Sequence, residues 1–407
     1  METFSLCYFG ARESEIIPLS VAAQRFSKNS IPVNIFARTA SQLFDESRRK
    51  AFVRKALESS FIIVTLFGER SSFPALDALI TALNEARYLG IETPVLHIQP
   101  ITPEEDTVLA AEQFSDLYGT EHWNLINEYH RHGGPQNLYN MILWLYRSKY
   151  DLELDISKPV KVPCQGIYHP DFSNGITLDN YLLTRIKPDQ PTVGMWFYQG
   201  LVQANDLEHI DAIIRTIETM GANVIPVFHV RRKDAALGNM SADEVARSFF
   251  SRNGATSIDA LINLMPSSLA MECSAWSEVL PDLGVPTIQA IVMSRSREVW
   301  NEGFQGLPSL DIPFLVAQPE FDGVLITVPV ASKEETNVNP FTGALIHKKK
   351  PIPERISRMV SLAIKWASLR HKPNKYKKIA VVFHNYPPRN DRIGAASGLD
   401  SFESVRK

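Results

Sequence analysis

The sequence predicts an α/β protein: two doubly wound units with parallel sheets, the second with a β-hairpin, plus the truncated start of a third. Three observations point there. Short β-branched apolar runs alternate with helical stretches; this alternation halts in a proline-containing segment and then restarts; and 407 residues at 44% apolar and 21% charged content can fill two or three ordinary cores.

Taken in order, FSLCYF, VNIFAR, FIIVTLF and PVLHIQ read as strands. Between them ESEIIPLSVAAQRF, QLFDESRRKAFVRKALESS and ALDALITALNEARYLG read as helices, which is the pattern of parallel βαβ units of flavodoxin or Rossmann type. Two further helical patterns follow, ending in NLYNMILWLYRSKY. The loss of helical period in DLELDISKPVKVP puts a boundary near residue 155, so that 1–155 forms the first unit. The pattern resumes with the strand TVGMWFY and a helix that Asn205 or Asp206 should cap. Leu207, Ile210, Ile214 and Ile217 share one face of that helix, and Gly221 ends it. NVIPVFHV, ALINL and PTIQAIVM supply further strands. FLVAQPEFDGVLITVPV suggests a hairpin turning at Pro319–Gly323, and an amphipathic helix carries Ile356, Met359, Val360, Ala363 and Ala367. Residues 158–372 thus form the second unit. Residues 373–407 open a further one with a buried strand at Ile379–Phe383 and a helix beginning after Asp400.

Composition excludes several classes. A net charge of -3 gives no general attraction to nucleic acid or anionic membrane, and the short basic clusters HKKK and KYKK read as solvated linkers. Cys7, Cys164 and Cys273 form no CxxC pair, so neither a disulfide framework nor a zinc knuckle is indicated. No signal peptide and no membrane-length apolar run is visible, so the expected setting is a reducing cytoplasm. The absence of G-x-x-x-x-G-K predicts that the chain does not itself bind or hydrolyse ATP.

Four motifs carry candidate chemistry. In YHRHGG, His130 and His132 lie two apart and would point to different sides of a helix, as surface histidines at its end do. In QGIYHPDF, Pro170 holds His169 extended, where it can ligate a metal, donate to a carboxylate or merely close a turn. Glu320 and Asp322 at PEFDG could recruit a hard cation or simply make the turn. FHNYPPRNDRIGAASGLDS is the densest set of hydrogen-bonding groups: it leaves the carboxyl end of an expected strand, and the helix start beyond Gly398 offers free N–H groups to an anion.

These stretches, in the order GIYHPDF, PTVGMWFYQ with GANVIPVF, ALINL, GVPTIQAI, EVWNEGFQGL with PEFDG, and IAVVFHNYPPRNDRIGAASGLDSFESV, resemble the large subunit of cobaltochelatase. They are similar, more distantly, to the large (H) subunit of magnesium chelatase. The resemblance covers about residues 120–407 and implies a part in ATP-dependent insertion of a divalent metal, Co2+ foremost and Mg2+ as the alternative, into a tetrapyrrole. It implies that separate AAA+ subunits hydrolyse ATP, in line with the missing phosphate loop. A further chain would carry the remaining large-subunit domains, this one being an amino-terminal piece inactive alone. Tyr198, Gln199, His169, His384, Asn385, Asn390, Gly394 and Asp400 are the ligand-binding candidates, with His169, Glu320 and Asp322 for the metal; His384-Asn385 and Gly398-Leu399-Asp400 resemble the cobalt branch.

Overall fold

The computed structural model describes residues 3–101, 104–172, 175–231, 233–235, 238–269, 278–335, 338–386, 388–389, 391, 393–395 and 398–407. Strands β1 (Phe4–Gly10), β2 (Val33–Thr39), β3 (Phe61–Leu66) and β4 (Val95–Pro100) form a sheet of order β2-β1-β3-β4, parallel throughout. All six residues of β3 are buried, as an uninterrupted apolar run demands when helices cover both faces. Helix α1 (Ile16–Lys28) packs one face; α2 (Glu46–Leu57) and α3 (Leu76–Tyr88) pack the other.

After β4 come three helices where two patterns were expected: α4 (Glu105–Phe114), α5 (Glu121–His132) and α6 (Gly134–Tyr150). Local hydrogen bonding makes the extra break. Asp116 donates its N–H to the Leu96 carbonyl, pinning the chain to β4, and the Thr120 hydroxyl accepts from the Trp123 N–H to start α5. Helix α6 completes the first core through Leu138, Met141, Ile142 and Leu145.

The second sheet has the order β13-β12-β11-β10-β6-β7-β5. Its inner strands β6 (Thr192–Tyr198), β7 (Asn223–His229), β10 (Ala260–Asn263), β11 (Thr287–Met293) and β12 (Leu325–Glu335) run parallel; β5 (Gly166–Ile167) and β13 (His347–Pro351) are antiparallel edges. A small hairpin, β8 (Ser251–Arg252) with β9 (Ala255–Thr256), stands apart. Helices α7 (Leu178–Arg185) and α10 (Ala242–Phe250) cover one face. The other takes α9 (Glu208–Thr219) and the helix Pro353–His371, all five of whose expected apolar residues are buried. Each of Ile210, Ile213, Ile214 and Ile217 is buried, contributing roughly 1.5–3 kcal/mol by removing its side chain from water. A short helix, α8 (Gly200–Ala204), follows β6.

Four expectations are corrected. The residue flanking α9 is Leu207 and not Asn205 or Asp206; the Asp206 carboxylate instead receives Lys349, N–H and ammonium both. PEFDG does not turn a hairpin: residues 313–321 are helical, and the antiparallel pair forms later, between β12 and β13. The HKKK cluster is therefore an edge strand, and lysines at an edge also discourage further pairing. Ile379–Phe383 forms no strand; with no neighbour to complete a ladder, Ile379, Val381 and Val382 stand exposed.

The connection between β12 and β13 reaches back to the first sheet. The Ala37 N–H donates to the Thr342 carbonyl, Arg38 donates to the Gly343 carbonyl, and Ala344 and Ile346 lie within the first core. Among the described residues no helix is long and apolar enough to cross a membrane.

Candidate functional site

Counted within itself, each set of parallel strands begins in the same order, second strand, first, third, fourth, and the second sheet adds a fifth. Connections on either side of the first strand diverge in such sheets, opening a crevice beyond the carboxyl ends where ligands sit. In the first sheet this point lies between β1 and β3, in the second between β6 and β10. The segments leaving those strands meet: Arg12 and Glu15 after β1, Tyr198 and Gly200 at β6, Leu264 and Pro266 after β10. They line one cleft whose two compartments, of about 410 and 660 Å³, share Arg12, His130, Arg131, Tyr198 and Gln203. Both volumes fall within the ~300–1,000 Å³ typical of small-molecule sites.

The smaller compartment has apolar walls, among them Pro18, Leu138, Leu201, Leu264 and Leu315. Several of its polar atoms are buried. Among the described residues Tyr8 Oη, His130 Nε2 and both ring nitrogens of His209 have no hydrogen-bond partner, an arrangement that costs about 1–3 kcal/mol per group unless something else fills it. Tyr8 stacks on His130 (centroids 6.0 Å) and His130 on His97 (6.4 Å), so a row of rings runs from β1 through α5 to β4. Burial pushes the histidines down, His97 and His209 to about 4 and His130 to about 3, so all three are neutral at pH 7. Glu15, held by Arg12 and Thr65, is pushed up by burial against the pull of Arg12.

Tyr198 and Gln199 are at this cleft. Tyr198 is 45% exposed at the end of β6, and a side chain at Gly200 would put its Cβ 2.5 Å from the Tyr198 ring, which would have to move aside. Gln199 is buried and donates to the Pro163 carbonyl.

The remaining candidates lie elsewhere. His169 is 1% exposed: its Nδ1 accepts from the Asp171 N–H, and Nε2 stands 3.1 Å from a Glu218 carboxylate oxygen. Arg185 and Arg215 clamp Asp171, and Arg215 also bonds Glu218. Asp322 accepts from the Ser268 hydroxyl and the Leu269 N–H. His169, Glu320 and Asp322 therefore do not assemble into a metal site, and among the described residues no group of three or more His, Cys, Asp or Glu could hold a metal. His384 is exposed beside Tyr386, and Asn385 accepts from the Arg389 N–H. The Gly394 N–H bonds the His384 carbonyl, and a Cβ there would meet the Phe383 ring at 2.7 Å. Asp400 caps a six-residue helix through the Glu403 N–H. Asn390 lies outside the described residues. Neither His169 nor any described residue of 373–407 is among the described residues that line the cleft.

Sequence reading missed Tyr8, Arg12, His209 and Lys349, and took His130 for a surface residue. One signal was available for Arg12: the segment after the first strand of a doubly wound unit lies at the switch point. For His209, on the apolar face of α9, no local signal exists.

The family model described as CobN/Magnesium Chelatase matches residues 127–407. An uncharacterised protein of Methanocaldococcus jannaschii is 36% identical over 69% of this chain and 23% of its own length. The aerobic cobaltochelatase subunit CobN of Sinorhizobium is 31% identical over 52% of this chain and 16% of its own. The H-subunit of the magnesium chelatase from Rhodobacter capsulatus is 27% identical over 70% of this chain and 24% of its own. The chain thus spans about a quarter or less of the length of these relatives. The catalytic subunit of cobaltochelatase from Mycobacterium tuberculosis superposes with a TM-score of 0.65 at 20% identity, covering 99% of this chain and 30% of that one, a likeness of fold. With the family model running through most of its length, the chain belongs to the CobN/magnesium chelatase family.

Proposed function

We propose that this chain is the amino-terminal part of the large, tetrapyrrole-binding subunit of an ATP-dependent metal chelatase, inserting cobalt into a corrinoid ring of hydrogenobyrinate type for cobalamin biosynthesis. The observation that carries the reading is the convergence of two switch points on one cleft with apolar walls and unpartnered buried donors, in a chain of this family. The macrocycle's body lies against the apolar walls, and Tyr8, His130 and His209 supply its hydrogen bonds. With conjugate acids at about 3 and 4, the two histidines are too weakly basic to keep a proton taken from a ring nitrogen at pH 7. The base, like the metal-delivering groups, belongs to other parts of the enzyme.

Residues 1–155, 158–372 and 373–407 are read as three units. The divalent metal is a substrate, ATP is spent by AAA+ partner subunits, and a chain with the remaining large-subunit domains completes the catalyst in the cytoplasm. Cobalt is preferred on His384-Asn385 and Gly398-Leu399-Asp400; relatives named for either metal match, so a magnesium chelatase H-type subunit is the second reading. A stand-alone tetrapyrrole-binding module is the third. Absorbance titration with a metal-free hydrogenobyrinate-type corrinoid and with protoporphyrin IX tests this: the corrinoid should bind at least tenfold tighter. Preference for the porphyrin selects the magnesium reading, and no spectral response to either overturns all three.

A further inference from the structure

The larger compartment of the cleft has a composition that the smaller does not share. Among its described lining residues there is no aspartate or glutamate, although the whole chain has 45 of them against 42 lysines and arginines. Three fixed cations face it: Arg12, Arg131 and Lys161. Arg12 is engaged by Glu15, whereas neither Arg131 nor Lys161 has an ion-pair partner among the described residues. The Asn127 side-chain amide adds a donor, whereas Gln99 gives its amide hydrogens to the Pro100 carbonyl and Asn127, and Gln203 gives one of its own to the His132 carbonyl. Two buried ring atoms, Trp123 Nε1 and His130 Nε2, have no partner among the described residues. His132 is pushed down by burial first and by Arg131 next, with Glu128 opposing and Lys161 adding to the effect.

Two cations without an ion-pair partner at a cleft wall, beside a third that Glu15 holds, call for an anion from the ligand. Phosphate is a poor match. Phosphates in doubly wound sheets sit on the backbone N–H groups of a glycine-rich turn after the first strand. Here that turn is Ala11–Glu15, with no glycine and two glutamates. Dispersed guanidinium, ammonium and amide donors suit several separate carboxylates on one rigid ligand. The apolar compartment adjoins through Arg12, His130 and Tyr198, so a ligand can keep its body in one compartment and its acidic groups in the other.

We propose that the compartment lined by Arg12, Arg131, Lys161 and Trp123 is an anion subsite that takes the peripheral carboxylates of the ligand whose apolar body fills the neighbouring compartment. This rests on the tetrapyrrole reading above for the ligand's identity, not for its charge. Arg131 and Lys161 are the specificity-determining residues, and they select ligands with free acidic side chains over esterified ones.

The test uses the full chain and three probes: deuteroporphyrin IX, its dimethyl ester, and mellitate, an aromatic polycarboxylate without a macrocycle. Free-acid porphyrin should bind at least tenfold tighter than the ester. R131Q and K161Q should each weaken the acid severalfold and leave the ester unchanged, the exposed position of both side chains sparing the fold. Mellitate, followed by calorimetry, should bind the wild type and fail to bind the double variant. Equal affinity for acid and ester, or mellitate binding indifferent to the double variant, overturns the subsite. Mellitate binding that obeys the variants while neither porphyrin binds upholds the subsite and removes the tetrapyrrole reading.

Discussion

Around His169, two arginines, two carboxylates and a histidine are packed so that each ring nitrogen of the histidine meets a partner, Asp171 N–H on one side and Glu218 on the other. Around His130 and His209 the ingredients are similar, yet Tyr8 Oη, His130 Nε2 and both His209 nitrogens meet none. A cluster whose histidine is satisfied on both sides is part of the scaffold: it fixes the start of the second unit against α9. One left open beside a cavity is shaped for something that comes and goes.

Acid should widen this difference most. His97, His130, His209 and His229 have folded pKa values of about 4, 3, 4 and 3, each lowered by burial, against about 6.5 in the unfolded chain. Between those values the unfolded state holds more protons, so the stabilisation is complete above about pH 6.5 and is lost as pH falls toward the folded values. Each histidine contributes a slope of up to about 1.4 kcal/mol per pH unit. Unfolding free energies from urea titrations at pH 7 and pH 5 should differ by several kcal/mol, and His209→Asn should flatten the slope by about one histidine's share. An unchanged slope in that variant means His209 is not held neutral.

The closed cluster is where truncation should hurt. A loop histidine on an exposed turn would cost little to remove, but His169 is buried and its loss strands Glu218 and Asp171 between two arginines. His169→Ala should cost about 1–3 kcal/mol in denaturant unfolding and leave deuteroporphyrin affinity unchanged. Loss of binding with little loss of stability would move His169 into the ligand site.

The smallest effect has the opposite sign. Tyr8→Phe deletes a hydroxyl that is buried without a partner, so stability should rise by up to about 1 kcal/mol while porphyrin binding weakens severalfold. A stability loss above 1 kcal/mol would show that the hydroxyl is satisfied within the fold.

The fold was legible in the sequence to a degree the site was not. TVGMWFY and PTIQAIVM read as strands because a period-free apolar run of that length is what a strand buried on both faces needs, and the helix Pro353–His371 shows its inward stripe at helical spacing. Ile379–Phe383 has the same local signature, but a strand exists only through its neighbours, which local reading cannot supply. The cleft failed for the same reason: Tyr8, His130 and His209 come from β1, α5 and α9, and only the placement of two sheets brings them together. Tyr198 and Gln199, named through the stretch PTVGMWFYQ and its resemblance to the family, stand at the cleft wall.

The reach of residues 339–346 into the first sheet has a consequence for biosynthesis. The Ala37 N–H, on an outer strand, finds its acceptor in Thr342, three hundred residues downstream, and Ala344 and Ile346 fill space in a core otherwise built from the first 156 residues. A nascent chain that has just left the ribosome with its first sheet assembled still shows water an open edge at β2 and a gap beside α1. That edge is a template for stray pairing until translation has passed Ile346. The long wait falls on the amino-terminal third, and a chaperone that shields β2 during it would protect the protein more than one acting after release.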